Sequence, residues 1–172
     1  MASALSLPGR LQNGTDGNTR IAIDAIRAAR AGHMFLSPDK HGPNDHLPDQ
    51  RQPVRPHHHA RRQRAPNYHA SDIAAACDSR ASSICREHLV IDFSHGNCQK
   101  MHRRQLEVAD NVCQQIRAGS AAITGVMAES FLVEGAEDRR RPAADYGQSI
   151  TDPCLSWSDS EQLLAMLAGC GR

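Results

Sequence analysis

Apolar residues recur along this chain at two different periods, and the alternation between them points to its architecture. Ile23, Ile26 and the Ala29/Arg30 pair follow at helical spacing behind a Gly-rich turn, NGTDGN, where Thr15, Asp16 and Asn18 are candidate N-caps. His33, Met34, Phe35 and Leu36 form a dense run that predicts a short buried strand. Beyond residue 70 the alternation resumes. Ser71 is placed to cap a helix reaching Cys77, and Leu89, Val90, Ile91, Asp92 and Phe93 predict a strand. Leu106, Ala109, Val112/Cys113 and Ile116 make one face of a helix, and residues 122–127 return to strand character. Ser149, Ile150, Thr151 and Asp152 predict the end of a further short strand. A last helix opens with Ser158 and Glu161 at capping-box spacing and carries Leu163, Leu164 and Leu167. Helices and strands alternating across short polar connections predict a parallel α/β fold.

Residues 37–68 break this pattern. The stretch is dense in proline (Pro38, Pro43, Pro48, Pro53, Pro56), poor in large apolar residues and clustered in His and Arg, so residues 43–64 are expected to lack regular structure.

Composition narrows the function classes. The 172 residues carry a formal charge of +1, so neither a nucleic-acid nor a membrane-surface partner is expected. The basic middle segment has no interleaved aromatic residues, which disfavours a polyanion-binding role. No apolar run approaches the ~20 residues of a membrane span, and the N-terminal decapeptide lacks a secretory h-region. The six cysteines form no CxxC pair, which suits free thiols in a reducing cytoplasm. Aromatic residues are only 3% of the chain and mean hydropathy is −0.54, thin material for a self-sufficient core. The domain is therefore marginal, or the chain is part of something larger.

In parallel α/β folds chemistry gathers where strands end at their C-termini. That rule selects the stretch from Asp92 to His95, Met127 to Glu129, and Thr151 with Asp152. His95, Glu129 and Asp152 follow three successive strand-like runs, and one imidazole with two carboxylates suits a divalent metal such as manganese, iron or zinc. Taken alone, the same residues also fit a solvated His, a surface acid and a turn residue before Pro153.

The motifs themselves go further. NGTDGN followed by IAIDAI, then APNY, VIDFSHGNCQK, GVMAESFLVEG and YGQSITDPCLSW, resembles in order and spacing the class I DAHP synthases, whose patterns are close to GFKNGTDG, PNY, MIDFSHANSxK, GVMxESHLVEG and YGxSITDACIGW. The resemblance spans nearly the whole chain but only the second half of the family's barrel. It implies a partial TIM (β/α)8 barrel over residues 1–172, with residues 37–68 as an aberrant segment. It further implies condensation of phosphoenolpyruvate with erythrose 4-phosphate, the opening step of the shikimate pathway. By the same resemblance His95, Glu129 and Asp152 bind a divalent ion (manganese, iron, cobalt or zinc type), completed in the family by a cysteine. Lys100 matches the lysine after SHANS and contacts an anionic substrate, unless it is simply a solvated lysine at a helix start. The full-length family allows a homo-oligomer.

The departures are equally specific. The family's GPCS-like metal cysteine, KPRT-type phosphate loop and further arginines have no counterpart, so the resemblance implies little or no activity for the chain as given. A non-functional, pseudogene-like product is the rival reading. Where the family has PVGFKNG, Gly9, Arg10, Leu11 and Gln12 intervene; codons for these four residues, read one base later, permit Val-Gly-Phe-Lys. Read one base later, codons for His57, His58, His59, Ala60, Arg61, Arg62 and Gln63 permit Ile-Ile-Met-Arg-Gly-Gly and then Lys or Arg, against the family's HIILRGGK. Paired compensating frameshifts account for both windows; the alternative is a genuinely divergent linker. Gln12 then stands where the family has a substrate-binding lysine, and Phe131 replaces the histidine of ESHLVEG.

Overall fold

The β-rich run at Leu89 is the centre of a parallel sheet. The computed structural model describes residues 11–12, 20–30, 34–38, 44–48, 57–59, 66–81, 89–137 and 145–170. In chain order the elements are β1 (Leu11–Gln12), α1 (Arg20–Arg30), β2 (Met34–Pro38), β3 (Asn44–Pro48), β4 (His57–His59), α2 (Ala70–Ala81), β5 (Leu89–Asp92), α3 (Arg104–Arg117), β6 (Ile123–Met127) and α4 (Trp157–Cys170). Four strands form one sheet in the order β1-β4-β5-β6, with every pairing parallel. Parallel neighbours need a crossover, and α2 and α3 supply it between β4, β5 and β6. The parallel α/β class read from the sequence is the class observed.

β5 explains why this sheet holds. All four of its residues are buried, as expected of a parallel strand covered on both faces. Leu89, Ile91 and Phe93 have no solvent exposure and cluster with Ile73 and Ala76 of α2, Val108, Ala109 and Val112 of α3, and Leu155 and Leu163. Between α3 and α4 the Sγ atoms of Cys113 and Cys170 lie 2.8 Å apart. Burial, then the hydrogen bond to Cys170, pushes the Cys113 thiol up to about 12, so it stays protonated and behaves as a small core residue. Cys77, Cys98, Cys113, Cys154 and Cys170 are free thiols. No helix among the described residues is long and apolar enough to cross a membrane.

Several sequence expectations are corrected. Residues 43–64 were expected to lack regular structure, yet β3 and β4 fall inside them. β3 pairs antiparallel with β2, Phe35 opposite Leu47. β4 pairs on both sides, His57 opposite Leu11 and opposite Leu89. A strand flanked by two partners is specified by their ladders more than by its own propensity, so three histidines suffice. The rest of that segment lies outside the described residues, as do Thr15, Asp16, Asn18 and His33. The strand expected to end at Asp152 is reduced to isolated bridges, Ala136 with Ser149, Gly135 with Cys154 and Ser130 with Leu155. Helix starts also move. α2 begins after His69, whose N–H donates to Asp72 Oδ2 at 3.3 Å, so Ser71 lies within the helix.

α4 is capped by Ser156, not Ser158. The Asp159 N–H donates to Ser156 Oγ at 3.1 Å, satisfying one of the helix's free N-terminal donors. Ser158 is exposed within the first turn. Ser156→Ala should therefore lower stability by about 1 kcal/mol, and Ser158→Ala should stay within about 0.5 kcal/mol of the parent. Urea denaturation of the two variants checks this, and equal midpoints would contradict the assignment.

Candidate metal centre

Three polar side chains meet where β5 and β6 run out. One donor atom from each of His95, Glu129 and Asp152 lies within 4.8 Å of the others, and among the described residues no other group of three His, Cys, Asp or Glu does so. His95 follows β5 in a tight turn, Glu129 follows β6 by two residues, and Asp152 comes from the bridge-linked segment ahead of α4. His95 Nε2 is 3.6 Å from Glu129 Oε1 and 3.6 Å from Asp152 Oδ2. The Asp152 side chain is 48% exposed and that of His95 only 15%, so the centre opens to solvent on its acidic side.

The imidazole is held from behind. His95 Nδ1 lies 2.7 Å from Asp92 Oδ2 and 2.7 Å from Ser94 Oγ. Ser94 donates its own hydroxyl and N–H to Asp92 Oδ1 at 2.5 and 2.8 Å, so its oxygen is left to accept. Nδ1 therefore carries a proton, and the Nε2 lone pair faces the two acids. A buried carboxylate fixing a histidine tautomer is the arrangement that orients imidazole ligands toward metals. His95 also has φ +52°, a left-handed conformation costly for a residue with a Cβ, and Gln99 and Lys100 follow at +53° and +60°. Such strain persists only where surrounding bonds over-determine it. Asn97, 2% exposed, supplies two of them: its Nδ2–H donates to the Asp92 carbonyl at 2.7 Å, and its Oδ1 accepts the Asn67 N–H at 2.8 Å. The stretch from Pro66 to Tyr68 is thereby tied to the end of β5.

Glu129 is located through its backbone. Its N–H donates to Gln105 Oε1 at 2.9 Å, and its carbonyl accepts Gln105 Nε2–H at 3.0 Å and the Leu155 N–H at 2.9 Å. The segment bearing Asp152 is anchored by paired bonds between Gly135 and Cys154, 2.8 and 3.0 Å. Gly147 shapes its entry: φ is +85°, and a Cβ there would meet Leu132 Cβ at 3.0 Å.

Of the sequence-selected residues, His95, Glu129 and Asp152 come together. Lys100 does not join them. It is exposed, tied to the centre through its N–H, which donates to the His95 carbonyl at 3.1 Å. Among the described cysteines none joins the cluster, and burial raises the thiol pKa of both Cys98 and Cys154. Sequence reasoning reached Asp92 only as a strand-end position and missed Asn97 and Gln105. Gln105 had a signal: it is the polar member of the stripe Gln105, Val108, Ala109, Val112 on α3, all buried.

The His95 pKa lies above its ordinary 6.5, first through the hydrogen bond to Asp92, opposed by burial, then through the charges of Asp92, Glu129 and Asp152. Nε2, which faces both acids, is therefore the position that takes up a proton as pH falls. A raised folded-state pKa contributes stability that is full below 6.5 and lost as pH rises through the raised value. In chelator, the unfolding free energy should decline over that window, and His95→Gln should flatten the decline. Urea titrations at stepped pH measure both, and an unchanged slope in the variant would reject the linkage.

Comparison with known proteins identifies relatives of this chain. The sequence profile described as "DAHP synthetase I family" matches residues 1–165. The Trp-sensitive phospho-2-dehydro-3-deoxyheptonate aldolase of Escherichia coli K12 is 61% identical over 170 residues, covering 98% of this chain and 48% of that protein. Its counterpart in Salmonella typhimurium LT2 is 62% identical over the same length and shares of the two chains. The structure of phospho-2-dehydro-3-deoxyheptonate aldolase from Francisella tularensis SCHU S4 superposes with a TM-score of 0.89 at 32% identity, covering 98% of this chain and 49% of that one. The chain spans about half the length of the curated relatives it matches. With the profile matching nearly its whole length, this chain belongs to the DAHP synthetase I family.

Proposed function

We propose that this chain forms the metal-bearing arc of a (β/α)8 barrel and that His95, Glu129 and Asp152 hold a divalent ion for the condensation of phosphoenolpyruvate with erythrose 4-phosphate. The observation that carries the reading is the approach of three donor atoms to within 4.8 Å at the C-terminal end of a parallel sheet. The donor set fits such an ion. The tautomer enforced by Asp92 leaves Nε2 unprotonated, and two carboxylates offset a double positive charge. Imidazole and oxygen donors suit manganese, iron, cobalt or zinc.

When bound, the ion supplies Lewis acidity that polarises the aldehyde oxygen of erythrose 4-phosphate toward attack by C3 of phosphoenolpyruvate. The chain's own residues provide the frame. Asp92 keeps the His95 ring in one orientation, and the left-handed turn projects it past the end of β5. Lys100, on the same turn, is placed to offer a cation to an anionic substrate. As in the full-length family, a homo-oligomer is compatible with this reading.

The two windows of altered pattern are read as compensating frameshifts. This is supported by their position: Leu11 and Gln12 form β1 and His57, His58 and His59 form β4, strands that neither composition would specify. Genomic sequence across codons 8–65 decides the point, since a gene in one uninterrupted frame would discard it.

Manganese titration by calorimetry tests the centre. Removing one donor at a time, by His95→Ala, Glu129→Ala or Asp152→Ala, should each cost about 1.5–3 kcal/mol, roughly 10- to 150-fold in affinity. Asp92→Asn, which leaves all three donors in place, should weaken binding about 10-fold or more. Acidification through the raised His95 pKa should weaken binding in the parent, because proton and cation compete for Nε2. The 172-residue polypeptide assayed alone with manganese should show no phosphoenolpyruvate consumption dependent on erythrose 4-phosphate. Supplying the remaining length of its relatives, with Gln12→Lys and the family's RGG pattern, should restore it. Turnover by the polypeptide alone would show that the chemistry needs fewer contacts than proposed.

A further inference from the structure

We infer that Gln105 is a positioning residue for the metal centre, holding the Glu129 peptide so that the two acidic ligands face His95; this rests on reading the centre as a divalent-metal site. Gln105 has no solvent exposure and lies on the face of α3 that otherwise buries Val108, Ala109 and Val112. A full amide on an apolar stripe is costly unless both its polar atoms are satisfied. Both are, and by one residue: Oε1 accepts the Glu129 N–H at 2.9 Å and Nε2–H donates to the Glu129 carbonyl at 3.0 Å.

The location gives this pair its meaning. The ladder between β5 and β6 ends at Met127, whose carbonyl accepts the Phe93 N–H at 2.8 Å. Two residues on, β5 has turned away into the His95 loop, and Gln105 supplies the donor and acceptor that a neighbouring strand would have offered. The Glu129 carbonyl it holds also accepts the Leu155 N–H at 2.9 Å, and Leu155 lies three residues after Asp152. One buried side chain therefore fixes the peptide at which the segments carrying both acids are joined. A residue serving only the core would need none of these contacts, since an apolar side chain of similar volume fills the same space.

The test compares manganese affinity, by calorimetry on the full chain, with thermal stability in chelator. Gln105→Met removes both hydrogen bonds at nearly constant volume. Val112→Ala, on the same face of α3, is the control for generic destabilisation. The expected result is manganese binding about 10- to 100-fold weaker in Gln105→Met. Val112→Ala should lower the thermal midpoint yet leave affinity within about twofold of the parent. If Gln105→Met does not fold, Gln105→Asn, which keeps the amide but draws it back by one methylene, takes its place under the same criteria. Parent-like affinity in the Gln105 variant would overturn the inference and leave the metal reading intact, as would equal weakening in Val112→Ala. A folded parent that binds no manganese would overturn both.

Discussion

Asp92 ends β5 with no solvent exposure and accepts hydrogen bonds from the Ser94 N–H, the Ser94 hydroxyl and the His95 imidazole. An ionised carboxylate in that position is tolerable only when several donors compensate its lost hydration. The donors it recruits are the next residues of the chain, which makes the turn after β5 fold back on its own strand. That requirement drives His95 into the left-handed region and sets which ring nitrogen is free. The candidate centre is thus a consequence of satisfying one buried charge.

The sheet explains why the ligands converge. Parallel strands end on the same side, so residues far apart in sequence are delivered to one rim. His95 and Glu129 come from adjacent strands, and Asp152 arrives on a segment pinned by isolated bridges and by the Leu155 bond to Glu129. The stretches flanking the two acids are open to solvent: Phe131 is 46% exposed, Val133 42% and Ile150 65%. These segments owe their positions to backbone hydrogen bonds and glycine turns more than to a covering core. This is why a single buried amide, Gln105, has so much to hold.

The buried surface tells the same story at larger scale. The core gathers on β5, α2, α3 and α4, where Leu89, Ile91, Phe93, Val108 and Val112 meet. β1 and β4 are attached to it through ladder bonds, and β4 stands between β1 and β5 with a partner on each side. Composition is a poor guide to such a strand, because its stability comes from hydrogen bonds whose donors every residue but proline possesses.

Leu164 of α4 is 65% exposed and Asp152 follows isolated bridges, but the parallel α/β class, the β5 and β6 strands, the apolar face of α3, and His95 and Glu129 just past strand ends were legible in the chain. They follow from local rules: apolar period, and the preference of chemistry for strand C-termini. The motifs VIDFSHGNCQK, GVMAESFLVEG and YGQSITDPCLSW carried the family. What was not legible depends on contacts between residues remote in sequence. The strands β3 and β4 arise in a proline- and histidine-rich stretch, and the expected strand at Asp152 gives way to isolated bridges. Gln105 meets a peptide 24 residues away. The sequence determined which side chains could do chemistry. Only the tertiary structure decided which of them meet, because meeting is set by ladder register and by the satisfaction of buried polar groups, and neither is written in any local window.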